Sequence, residues 1–93
     1  MNESELQKKI VQRLNRDPKT WAVKIHGGPH QPAGLPDIIG CAYGYFFGLE
    51  VKEPGKEKTL TERQKLKLRR ISEAGGRATV VTSVEQALEF VYG

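Results

Sequence analysis

Cys41 is the only cysteine, so no internal disulfide framework holds the chain together, and a lone thiol fits a reducing compartment. No apolar run approaches the roughly 20 residues of a membrane span, and the start MNESELQKK has no signal-peptide apolar region. These absences predict a cytoplasmic protein with no membrane partner. Aromatics are few, with three Phe, three Tyr and one Trp. No Gly-Lys-Ser/Thr follows the glycine-rich GGPHQPAG, which excludes a nucleotide-binding loop of that kind.

What is present is basic. The 93 residues carry 15 Lys and Arg against 11 Asp and Glu, a net charge of +4, with a pI near 9.4. This balance favours polyanionic partners. The length predicts one domain over residues 1–93, and a chain this small buries only about 60–65% of its unfolded surface. Its thin core leaves little stability to spend on unpaired buried charge.

Leu6, Ile10 and Leu14 recur at helical spacing, predicting an amphipathic helix over 3–15 capped by Asn2 or Ser4 and broken before Pro18. In WAVKIHG, alternation predicts a half-buried strand with Trp21, Val23 and Ile25 on one face and Trp21 in the core or an interface. GGPHQPAGLP is a loop, long for so small a domain and expected to form a rim against DNA. DIIGCA and GYFFGLEVK form a hairpin turning at Tyr43-Gly44, with Tyr45, Phe47, Leu49 and Val51 on its core face. A helix over 61–74 opens at Thr61 and stops at Gly75-Gly76, RATVVT is a last strand, and Ser83 caps the closing helix. The predicted fold is α/β, in the order α-β-β-β-α-β-α, with a small mixed sheet flanked by helices.

Asp37 opens one strand of the hairpin, and Glu50 and Lys52 end the other. Two readings compete for the last pair: an ordinary strand-end ion pair worth about 0–1 kcal/mol, or part of a metal site. With Asp37 added, two carboxylates converge at one sheet end, as Mg²⁺ requires when water and substrate phosphate fill its octahedron. Lewis-acid activation of water is a common route past the very high barrier of phosphodiester hydrolysis. Glu3 shares the inward stripe of the first helix, whereas Glu5 lies off it; a first-turn glutamate is also favoured by the helix dipole. Gln64 follows the spacing of Leu68 and Ile71, and is either a capping-box partner of Thr61, a donor to phosphate, or both. His26, His30 and Cys41 lack the helix and the fourth ligand of a zinc site.

The ordered set formed by the leading-helix glutamate, GLPDIIG, GLEVKEPGK, LTERQ and GGRATVVTSVEQAL resembles the PD-(D/E)XK nuclease superfamily. In detail it resembles the small stand-alone VRR-Nuc (virus-type replication-repair nuclease) members. The likeness implies a restriction-endonuclease-like core and a hydrolase of DNA phosphodiesters that uses Mg²⁺ or Mn²⁺. It implies that Asp37, Glu50 and the Val51 carbonyl hold the metal, that Lys52 is the catalytic lysine, and that Glu3 and Gln64 complete the site. It further implies a homodimer acting on branched DNA in the manner of Holliday-junction resolvases, in DNA repair in a bacterial or phage-infected cell. Lys24, Lys56, Lys58, Arg63, Lys65 and Lys67 are the expected DNA contacts, in a cluster without aromatics and therefore suited to phosphates rather than to stacked bases. The rival reading is a non-catalytic nucleic-acid-binding module on the same fold.

Overall fold

The computed structural model describes residues 1–93. Helix α1, Glu3–Leu14, starts where the Asn2 side chain accepts the Glu5 N–H at 2.8 Å. It ends at Asn15, whose amide replaces a strand neighbour for Ala22: Nδ2 donates to the Ala22 carbonyl at 2.8 Å and Oδ1 accepts the Ala22 N–H at 2.9 Å. Strand β1, Thr20–Lys24, is therefore tied to the end of α1. β2, Ile38–Ala42, and β3, Tyr45–Val51, form the hairpin. Its two turn residues, Tyr43 and Gly44, have φ of 53° and 85°, the signature of the primed turn that matches strand twist.

A short 3₁₀ turn, Glu57–Thr59, leads to α2, Glu62–Glu73, then β4, Arg77–Val81, and α3, Val84–Tyr92. The sheet order is β1-β2-β3-β4, antiparallel across the first two pairs and parallel across β3–β4, with α2 as the crossover. Element order and mixed sheet agree with the sequence pattern.

The core lies on one face. Leu6, Ile10 and Leu14 of α1 and Ala87 of α3 pack with Ala22, Ile38, Ala42, Phe47, Leu49, Val51 and Val81. Burying each large aliphatic or aromatic side chain contributes about 1.5–3 kcal/mol. On the other face α2 covers only the β3–β4 half, and none of its residues is fully buried. It approaches closely at Gly48, where a Cβ would stand 3.0 Å from Pro36 Cγ and 3.1 Å from Ile71 Cδ1.

This uneven cover corrects two expectations. Trp21 is 63% exposed while Thr20 and Ala22 are buried, so β1 turns the opposite set of side chains to the core. The reason is that α1 covers the Ala22 face, whereas no helix covers the Trp21 face of β1 and β2. Tyr45, expected in the core with Phe47, Leu49 and Val51, opens β3 at the outer end of the sheet and is exposed. Trp21, Cys41 and Phe46 stand in cross-strand register on the open face, all three exposed.

Candidate active site

The site end of the sheet gathers the end of β1, the start of β2 and the ends of β3 and β4. The hairpin register, Ile38 opposite Leu49, sets Asp37 opposite Glu50. Asp37 is fixed by its backbone and its side chain. Its carbonyl accepts the Ile25 N–H at 2.7 Å, and Oδ2 accepts the Val51 N–H at 2.8 Å. Lys52 continues β3 and donates its N–H to the Val81 carbonyl at 3.0 Å. Val51, expected as a metal ligand through its carbonyl, thus also orients Asp37 through its N–H.

Glu50 is the anomaly of the fold. It is 2% exposed, and its Oε2 is buried without any hydrogen-bond partner. Burial, and next the Asp37 carboxyl that shares a hydrogen bond with it, push the Glu50 carboxyl up to about 9; Asp37's charge adds to the rise, Lys52 opposes it, and Glu3 raises it further. A buried carboxylate without a partner is costly, and a second carboxylate alongside compounds the cost. A simple Glu50–Lys52 ion pair would remove this cost, but the chain's two ion pairs are Lys56–Glu53 and Lys65–Glu62.

Glu3, the first residue of α1, is half-buried and close enough for its charge to act on Glu50, while Glu5 is exposed. The structure thus puts Glu3, rather than Glu5, on the site side. Gln64 closes a capping box: its N–H donates to Thr61 Oγ1 at 3.1 Å, and its Oε1 accepts the Thr61 N–H at 2.9 Å. Its Nε2 makes no hydrogen bond within the chain, so the cap holds Gln64 in place and leaves that donor free.

Gly34 holds the start of α2 beside the GLPD segment. Its φ is +85°, and a Cβ there would stand 2.7 Å from the carbonyl carbon and oxygen of Arg63. A larger residue would push the first turn of α2, and Gln64 with it, off the loop. That loop walls a cavity of about 340 Å³ which reaches Asp37.

The expected DNA contacts are spread unevenly. Lys58 and Arg63 are exposed and in no ion pair, and Lys24 and Lys67 are half-buried. Lys56 pairs with Glu53 at 3.1 Å and Lys65 with Glu62 at 3.4 Å. No three His, Cys, Asp or Glu side chains converge on one point, so His26, His30 and Cys41 form no cluster and Asp37–Glu50 is a two-carboxylate site. The sequence reading passed over Gln7, only 8% exposed one turn after Glu3. Its i+4 spacing from Glu3 and i+3 spacing to Ile10 was the available signal.

No family model matches the chain, and no curated protein does. Solved structures do, and two of them are VRR_NUC domains. One, described as a VRR_NUC domain, superposes with a TM-score of 0.75 at 22% identity, covering 98% of this chain and 97% of its own. The other, a VRR_NUC domain protein, gives a TM-score of 0.71 at 20% identity, covering 96% and 84%. The chain has the VRR_NUC fold. At this identity the likeness is one of backbone, and it spans both sheet faces and all three helices. Within the VRR_NUC fold the Asp37–Glu50 pair sits at the end of the central hairpin, and β4 and α2 close the sheet beside it.

Proposed function

We propose that the chain is a metal-dependent endonuclease of the VRR-Nuc family that hydrolyses DNA phosphodiesters at branched structures and works as a homodimer. The observation that carries this reading is the buried, unpartnered Oε2 of Glu50 beside Asp37. In a binding module such a carboxylate is pure cost; with a divalent cation it becomes a ligand.

Asp37, Glu50 and the Val51 carbonyl would hold Mg²⁺ or Mn²⁺, which supplies Lewis-acid activation of water and offsets phosphate charge. The chain's own groups do the rest. The Val51 N–H fixes the Asp37 carboxylate in one orientation. Lys52, on the same face of β3 as Glu50, orients the attacking water, takes its proton or offsets charge developing on the phosphate. Gln64 donates through its free Nε2 to a phosphate oxygen, and Glu3 closes the site from α1. Lys24, Lys58, Arg63 and Lys67, with Lys56 and Lys65 once released from their glutamates, hold the DNA backbone.

Two copies supply two sites for a symmetric double cut, and a C₂ pair needs one self-complementary surface. The open sheet face with Trp21, Cys41 and Phe46 is apolar and in register, which supports self-association there.

Cleavage of linear, nicked, flap and four-way-junction DNA with Mg²⁺, Mn²⁺ or EDTA tests the proposal. Expected are metal-dependent cutting that favours branched DNA, its loss in Asp37→Ala and Glu50→Ala, and in Lys52→Ala loss of cutting with binding retained. No cutting of any substrate with Mn²⁺, or full cutting by the Asp37 and Glu50 variants, refutes the nuclease reading; salt-dependent binding without cutting establishes the module instead.

A further inference from the structure

The expected DNA contacts lie largely in and around α2, yet a second cationic surface lies on the opposite face of the sheet. A groove of about 550 Å³ runs between α1 and the start of α3. One wall carries Lys9 and Arg13, whose four-residue spacing puts them on one flank of α1, and Arg16 in the turn just after the helix. All three are exposed, and none is in an ion pair. Glu85 is the one carboxylate on the lining, and no aromatic residue lines it. The facing wall is the first turn of α3, where the Ser83 hydroxyl takes the Gln86 N–H at 3.0 Å and the N–H groups of Val84 and Glu85 have no partner within the helix.

The groove opens at the same end of the sheet as the Asp37–Glu50 pair. Its lining includes Pro54, two residues after Lys52, and Thr82, which follows the Val81 carbonyl that accepts the Lys52 N–H. Away from that end, Arg13 and Arg16 also border a second cavity, of about 580 Å³, together with Lys19, Asp17, Tyr43 and Tyr92, where the Tyr43 hydroxyl donates to Asp17 at 2.6 Å. At about 1.5 Å per residue, Lys9 and Arg13 stand roughly 6 Å apart along α1, or about two steps of a strand rising about 3.4 Å per nucleotide, and Arg16 extends the row beyond the helix end.

We infer that this groove binds the phosphodiester backbone of a DNA strand running on from the Asp37–Glu50 site, so that α1 and α2 grip the substrate from opposite faces of the sheet. The inference rests on the nuclease reading, and names a contact surface that the α2 cluster does not include. A row of guanidinium and ammonium groups in no ion pair, in a groove with no aromatic side chain on which a base could stack, suits a chain of phosphates. A single compact anion would engage one or two of these cations and leave the rest of the row unused.

The test is the salt dependence of binding to labelled duplex and four-way-junction DNA in EDTA, where no cutting occurs. Each lost phosphate contact is expected to lower the slope of log K against log salt by about 0.9. Lys9→Ala/Arg13→Ala and Arg13→Ala/Arg16→Ala should each weaken binding about tenfold or more and flatten the slope by about two. Lys9→Arg/Arg13→Lys should restore both values. The substituted side chains are exposed, and an unchanged melting temperature separates lost contacts from lost fold. Wild-type affinity and slope in both double variants overturn the inference while leaving the nuclease reading standing, whereas failure of the wild type to bind any DNA overturns both. Displacement of DNA by millimolar inorganic phosphate at matched ionic strength assigns the groove to a free anion and likewise overturns it.

Discussion

Glu50→Gln separates what the fold needs from what the site needs. Folded, the Glu50 carboxyl keeps its proton up to about pH 9; its ordinary value is 4.5. Between those values the unfolded chain binds fewer protons than the folded one, so the stability of the metal-free protein falls as pH rises from about 4.5 to about 9. At about 1.36 kcal/mol per unit, the cost reaches about 3 kcal/mol at pH 7. Glutamine keeps the shape, can donate to Asp37, and has no charge to lose. Glu50→Gln should therefore be more stable than wild type by about 3 kcal/mol at pH 7 in EDTA, with the gain vanishing near pH 4. At roughly 4–8 °C per kcal/mol for a domain of this size, the melting temperature rises by about 10 °C or more. On the proposed metal site, Mn²⁺ should raise the melting temperature of the wild type and leave the variant's unchanged. Thermal melts from pH 4 to pH 9, with Mn²⁺ or EDTA, measure all of this. A variant that melts at or below wild type at pH 7 in EDTA, or a wild type whose stability does not fall across that range, refutes the reasoning that Glu50 is a buried acid awaiting a cation.

Three further outcomes follow from the packing. Gly48→Ala drives a methyl into Pro36 and Ile71 at 3.0–3.1 Å, and should cost about 1–3 kcal/mol in urea denaturation. Thr61→Ala removes the acceptor of the Gln64 N–H, and should cost about 1 kcal/mol and lower the cleavage rate by loosening Gln64, with no change in the salt slope of DNA binding. Trp21→Glu/Phe46→Glu places like charges on the open sheet face, and should convert a dimer to a monomer in light scattering without lowering the melting temperature of the isolated chain.

Helices and hairpin were legible because their signals are local. Asn2, Thr61 and Ser83 each receive the N–H that a cap exists to receive, and Tyr43-Gly44 adopts the expected turn. The Asp37–Glu50 pairing was legible too, since a two-residue turn fixes the register that sets them opposite. An exposed Trp21 still fits an interface, but the core face of β1 was misread because alternation defines two faces and cannot say which one a helix will cover. That depends on where α1 returns, and Asn15 settles it by clamping Ala22. Gln7 and the row Lys9, Arg13, Arg16 escaped notice for a related reason. A helical stripe shows its meaning only when the neighbour across the groove, here the start of α3, is known.

The two faces of the sheet divide the labour of a very small fold. The hydrophobic core cluster lies between the sheet and the pair α1–α3, while on the other side α2, without one fully buried residue, rests on Gly48 and Gly76 through Ile71, beside the buried Pro36. A domain of this length holds only a small margin of stability, and a buried Glu50 draws several kcal/mol from it. The fold tolerates this because the Glu50 carboxyl sits at the end of β3, on the face opposite the Phe47, Leu49 and Val51 side chains that pack in the core. Strengthening the α2 side by packing would require bulk at Gly48 or Gly34, and at Gly34 that bulk displaces Arg63 and the turn that holds Gln64. The weakly packed face is thus set by the geometry of the site: the glycines that thin it are the ones that let α2 approach β3 and the loop that leads to Asp37.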